Sequence, residues 1–217
     1  MLNYSERVQR VFLLSPASCS GKRAQILLRQ EASFPLACAV RSPAGAPLGE
    51  VFSFLSGLYF RGKLTYARVF APGRAAVITT NRGLVSPDEH VDAAALRSFS
   101  EVDIQGGDPR FTKPLLRDAK KIAKSFPTTE IVLLGSIASD KYVDILVNVF
   151  GVRLLFPSDF VGRGDMSRGG LMLRAARDEC ELVYEPVLGA VRNGARPPRL
   201  TPRPGILREA IDRARHR

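Results

Sequence analysis

Apolar positions come in short continuous runs separated by amphipathic stretches, and that alternation predicts an α/β domain. Val11-Phe-Leu-Leu14 reads as the first strand, apolar throughout as a strand covered on both faces must be. It stops at Ser15-Pro16, and a helix is expected over residues 22–33. Residues 48–54 and 63–70 read as helical pieces around a turn at Ser56-Gly57-Leu58-Tyr59. Residues 75–79 form the second strand, which ends at Thr80-Asn81-Arg82-Gly83.

The clearest helix covers residues 114–126. Leu115, Leu116, Ala119, Ile122, Ala123 and Phe126 share one face, and Arg117, Lys120, Lys121 and Lys124 take the other. Pro114 in its first turn and Pro127 past its end punctuate it. Ile131-Val-Leu-Leu134 is the third strand, residues 140–150 a helix, and Arg153-Leu-Leu-Phe156 the fourth strand. Residues 171–187 read as a hairpin around Asp178-Glu179, with helix as the alternative for the first half. Right-handed crossovers then give a mainly parallel central sheet with helices on both faces, a C-terminal hairpin and a basic tail. Residues 1–189 form the α/β domain and residues 190–217 a Pro/Arg-rich arm, with a short helix expected over 206–214.

Ligands of such sheets bind outside the carboxyl ends of the strands. That rule gathers four segments into one crevice: residues 15–23, 79–83, 135–142 and 157–168. Polar residues cluster in all four.

Composition narrows the chemistry. The 217 residues carry 32 Lys+Arg against 21 Asp+Glu, a net charge of +11. From Pro186 to Arg217 eight arginines face only Glu209 and Asp212, so that segment supplies +6. Arginine forks grip phosphates, which favours a nucleic-acid partner. Three widely spaced cysteines (Cys19, Cys38, Cys180) disfavour a disulfide framework or a structural zinc site. His90 and His216 are too few for a His-rich metal centre, and no metal or cofactor is expected. No apolar run is long enough to span a membrane, and the start lacks the order of a signal peptide. The expected location is the cytoplasm.

The loop at residues 15–23 invites comparison with a phosphate-binding P-loop and fails it twice. Pro16 stands for the first glycine and Arg23 for the magnesium-holding hydroxyl. Lys22 and Arg23 still offer charge to an anion. Cys19 reads as a small side chain rather than a nucleophile. Gly162-Arg-Gly-Asp-Met-Ser-Arg-Gly-Gly170 reads either as a flexible phosphate clamp presenting Asp165 or as a structural Asp–Arg pair. Around Ser56–Lys63, Tyr59 or Phe60 is a candidate stacking platform beside Arg61 and Lys63. Asp140 and Ser139 read as helix caps, and Lys141 and Tyr142 as helix starters able to point into the crevice.

Taken in order, these segments resemble a family of small α/β domains that includes the bacterial peroxide-stress protein YaaA and domains attached to archaeal enzymes of archaeosine synthesis. The resemblance rests on Leu14-Ser-Pro-Ala17, Ser56-Gly-Leu-Tyr59, Ile78-Thr-Thr-Asn-Arg-Gly-Leu-Val-Ser-Pro-Asp88, and Leu133-Leu-Gly135 leading to Tyr142. It covers about residues 8 to 165. Where the family often has a basic residue and histidine before Gly-Leu, Asn81-Arg82 stands here. The resemblance implies a sheet similar to that of uracil-DNA glycosylases and a base-excising or base-exchanging activity. Glycosidic cleavage needs an extruded base, stacking, and anionic stabilisation of the cationic sugar.

The expectation is therefore a metal-independent DNA glycosylase that removes a damaged or modified base. Asp165 would orient water or stabilise the sugar cation, with Asp140 as substitute and Asn81 beside them reading the base edge. Ser136, Tyr59 and Tyr142 would bind the base. Lys22, Arg23, Arg61, Lys63, Arg82, Lys141, Arg163, Arg168, Arg196 and Arg199 would hold phosphates. The alternatives are a non-catalytic nucleic-acid binder of stress response and a nucleoside or nucleotide-sugar enzyme.

Overall fold

The computed structural model describes residues 9–138 and 140–201. The helix expected over 206–214, His216 and the capping role of Ser139 lie outside the described residues. In chain order the elements are β1 (Arg10–Leu14), α1 (Lys22–Leu28), α2 (Pro35–Arg41), β2 (Ala46–Pro47), α3 (Leu48–Ser56) and α4 (Leu58–Phe70). There follow β3 (Ala75–Ile78), β4 (Leu84–Val85), β5 (His90–Val91), α5 (Ala93–Ser100) and α6 (Pro109–Ser125). The chain ends with β6 (Glu130–Leu134), α7 (Asp140–Phe150), β7 (Leu154–Pro157), α8 (Asp165–Arg177) and β8 (Tyr184–Pro186).

Six strands form one sheet in the order β4-β3-β1-β6-β7-β8. The inner four run parallel, with Phe12 opposite Ala75 and Val132, while β4 and β8 close the edges antiparallel. The expected α/β architecture is thus the observed one. The apolar runs of β1 and β6 are buried on both faces because each face is roofed by helices. Phe12, Leu14, Val132 and Leu134 pack under α1–α5 and α8; Val11, Leu13, Ile131 and Leu133 pack against α6 and α7. Among the described residues no helix is long and apolar enough to cross a membrane.

Several expectations are corrected. Residues 171–187 are not a hairpin but follow the helical alternative for the first half: α8 runs through Arg177, Glu179 turns with φ 49°, and β8 alone pairs with β7. The Gly162–Gly170 stretch is not a flexible clamp, since from Asp165 onward it is helix. Among its glycines, Gly169 serves packing. A Cβ on Gly169 would stand 2.6 Å from the Leu58 carbonyl oxygen, and one on Gly62 would stand 2.7 Å from the Gly169 oxygen. Glycine at both positions lets α4 and α8 meet backbone to backbone.

The helix expected from Pro114 starts earlier, at Pro109. Asp108 caps it by accepting from the Arg110 amide at 2.8 Å, and Pro114 lies inside. Helix α4 begins at Leu58, so Gly57, with φ 61°, is the whole turn. Helix α1 ends at Leu28, short of Ser33, and α2 restarts at Pro35.

Candidate functional site

Where β1 and β6 end, Ser15 and Gly135 open the chain away from the sheet. Gly135 has no room for a side chain: a Cβ there would stand 2.8 Å from the Ser15 Cβ and 2.9 Å from the Tyr142 hydroxyl. A pocket of ≈ 440 Å³ lies over this point, lined in part by Ser15, Tyr59, Ser136, Lys141, Tyr142 and Asp165. Three of the four segments that the strand-end rule gathers do meet in it. The fourth does not: Thr80 lines only the adjoining hollow of ≈ 570 Å³, and Asn81 lines neither. The Asn81 amide is spent on the Ser98 carbonyl at 3.0 Å, tying its loop to α5. Leu55, Ser56 and Tyr59 come from α3 and α4, which the rule did not include.

Three hollows are continuous. The first shares Pro16, Ala17, Ser18, Ile104 and Lys141 with the central pocket, and the third, of ≈ 630 Å³, shares Ser56 and holds Arg23, Arg61 and Met166. Charge along this groove is not uniformly positive. The first hollow carries Glu101 and Asp103, so cations concentrate at the end with Arg23 and Arg61.

Behind Ser15, beneath the pocket, lies Lys63. Helix α4 sets it one turn after Tyr59, on the buried stripe with Phe60, Leu64 and Ala67, and leaves it 1% exposed. Its Nζ lies 2.6 Å from the Ser15 Oγ, donates to the Ser15 carbonyl at 3.0 Å, and stands 3.8 Å from the Tyr59 ring centre. No carboxylate forms an ion pair with it among the described residues. Burial therefore lowers its pKa from 10.5 to about 7; the Asp165 charge opposes that fall and Arg168 adds to it. A buried amine with no counter-ion cannot also grip a phosphate at the surface, so the phosphate role expected for Lys63 is overturned.

Other arginines are similarly committed. Arg168 is buried, holds the Phe160 carbonyl at 3.0 and 3.1 Å, and meets Asp165 at 3.4 Å. Arg163 binds the Asp159 carbonyl, Ser167 and the Pro198 carbonyl, pinning the described start of the arm. Arg168 is thus held within the fold, while Asp165 stays open to the pocket. Arg23 reaches the Phe54 carbonyl at 3.1 Å and, with Arg61, remains exposed on the third hollow. Lys22, Arg82, Arg196 and Arg199 are exposed and line none of the three hollows. Lys141 lies between the first two hollows.

Asp165, whose side chain is 66% exposed, sits at the pocket mouth as the first residue of α8. Asp140 does not reach the pocket: it pairs with Arg192, which also holds Asp144 at 3.2 Å. The Tyr142 hydroxyl donates to the Ser136 carbonyl at 3.0 Å. The Tyr59 hydroxyl is buried beside the Arg168 guanidinium without a hydrogen bond of ordinary geometry, and burial raises its pKa. Tyr59 is a wall of the site rather than an exposed stacking platform, since it is 5% exposed. Cys19 is buried, and desolvation pushes its thiol to about 12, which removes it as a nucleophile. His90 Nδ1 is bonded to the Ala44 carbonyl at the exposed end of the β2–β5 pair. Among the described residues no group of His, Cys, Asp and Glu is placed to hold a metal ion.

No protein-family model, no curated protein and no solved structure matches this chain.

Proposed function

We propose that the protein hydrolyses the N-glycosidic bond of a damaged or modified base in DNA, with the flipped base held in the central pocket. The observation that carries this reading is that Ser15, Ser136, Tyr142, Tyr59 and Asp165, drawn from four separate segments, line one pocket at the carboxyl edge of the sheet. Its volume of ≈ 440 Å³ has room for a base and part of its sugar. Tyr59 and Tyr142 supply apolar walls, and the Ser15 and Ser136 hydroxyls supply polar contacts to a base edge. Asp165 at the mouth is the carboxylate for the developing sugar cation. Arg23 and Arg61 in the adjoining hollow take the flanking phosphates, and the exposed Arg196 and Arg199 extend the basic surface.

The geometry separates residues that the sequence treats alike. In a screen of DNAs carrying different natural modifications, Asp165→Asn is expected to lower abasic-site formation by at least about 100-fold. Asp140→Asn and Asn81→Ala should leave it within about threefold, because neither side chain lines the pocket. Unchanged base release in Asp165→Asn would remove the catalytic assignment. Salt-dependent DNA binding with no base release from any substrate would favour the non-catalytic binder.

A further inference from the structure

The glycosidic reading leaves the pocket floor unexplained. Ser15 lines the pocket while the amine behind it, Lys63, is sealed from solvent, 2.6 Å from the Ser15 Oγ. We propose that Ser15 and Lys63 form a nucleophile–base pair that opens a carboxylic ester.

The hydrogen bonds fit a neutral amine without rearrangement. A carbonyl oxygen only accepts, so the Ser15 carbonyl takes one N–H of Lys63 at 3.0 Å. The lone pair of the neutral amine is then left for the Ser15 hydroxyl proton. The Tyr142 hydroxyl also bonds the Ser15 side chain, but burial raises its pKa and keeps it a neutral phenol that donates to the Ser136 carbonyl. Asp165 pairs with Arg168; the Lys63 amine is the stronger base beside Ser15. Charged groups that bear on Lys63 come from α8 alone, Asp165 favouring its protonated form and Arg168 its neutral form, and burial outweighs both. With its pKa lowered to about 7, roughly half of the amine is neutral at pH 7, and that fraction supplies the base that serine activation needs.

The ester class follows from the lining. One cation, Lys141, and one carboxylate, Asp165, stand in the pocket, and no arginine does. A phosphoryl centre would call for cations on its oxygens, whereas an uncharged carbonyl does not. In the step itself the Ser15 Oγ bonds to the carbonyl carbon as its proton passes to Lys63 Nζ. The tetrahedral centre then collapses, the ester C–O bond breaks, and the leaving alkoxide takes the proton from Lys63. Water attacks the acyl-serine, gives one proton to Lys63, and releases the acid as Ser15 regains that proton.

The chemistry is independent of base excision and is tested without it. The full chain is treated with diisopropyl fluorophosphate between pH 6 and 9, the adduct is located by peptide mass spectrometry, and p-nitrophenyl acetate turnover is followed alongside. A single adduct on Ser15 is expected, forming about tenfold faster at pH 8 than at pH 6 and levelling above pH 8. Lys63→Met should lower labelling at least 100-fold, and Ser15→Ala should abolish both labelling and turnover. No adduct on Ser15, or labelling on Ser15 that is flat in pH, overturns the pair. So does a folded Lys63→Met protein that labels at the native rate. Should that variant fail to fold, the pH profile of the unmutated chain decides. A labelled Ser15 without base release from any DNA would sink the glycosidic reading alone.

Discussion

Gly169→Ala is expected to destabilise the protein by about 2–3 kcal/mol, although alanine is the better helix former by about 1 kcal/mol. The added methyl would stand 2.6 Å from the Leu58 carbonyl oxygen and 2.8 Å from the Tyr59 Cα. Both are backbone, so no side chain can swing away. Relief requires α8 to move off α4, and that motion separates Asp165 and Arg168 from Tyr59 and Lys63. The control is the next residue. A Cβ on Gly170 meets only the Leu200 Cδ1, at 3.4 Å, so Gly170→Ala should be neutral or stabilising by up to about 1 kcal/mol. Denaturant unfolding of the two variants side by side checks the contrast. Equal stabilities would mean that the two helices are not in backbone contact.

This contact is also where sequence reasoning fell short. A glycine-rich stretch with Arg163, Asp165 and Arg168 has the composition of a loop, and helix propensity argues against Asp165–Gly170. Tertiary packing reverses that preference, because only glycine allows the close approach. The inner strands were legible for the opposite reason. Val11–Leu14, Ile131–Leu134 and Leu154–Phe156 are apolar without interruption, as strands covered by helices on both faces must be. Helices α2 and α5 escaped notice because seven or eight residues give too few turns for a periodic signal.

The candidate site was legible in outline and misread in its charges. Strand ends located Ser15, Ser136, Tyr142 and Asp165, since topology alone sends those segments to one edge. Lys63 was grouped with Arg61 as a surface cation. Its position three residues after Phe60 and four after Tyr59 placed it on the buried stripe, and that spacing is the signal that could have identified it. Arg168 was misjudged similarly, being one turn beyond Gly164 in a helix whose existence was not foreseen.

The second large effect follows from Lys63 and concerns stability against pH. Its folded pKa, about 7, lies below the 10.5 of the unfolded chain. Between those values the unfolded state binds the extra proton, so raising the pH through this window stabilises the fold. Below pH 7 both states are protonated and the full cost of burying the charge is present; above pH 10.5 both are neutral and it has gone. A depression of this size corresponds to roughly 5 kcal/mol as an upper bound. Lys63→Met keeps the length of the side chain and removes the titration. It also loses the bonds to Ser15, but that loss is a constant offset, whereas the proton linkage is a slope. The free-energy difference between the native chain and Lys63→Met should therefore shift in favour of the native chain by up to about 3.5 kcal/mol from pH 7 to pH 10. Unfolding curves of both proteins at half-unit pH intervals measure it. Parallel profiles would show that the Lys63 amine titrates alike in the folded and unfolded states, and would leave the Ser15 hydroxyl without a base behind it.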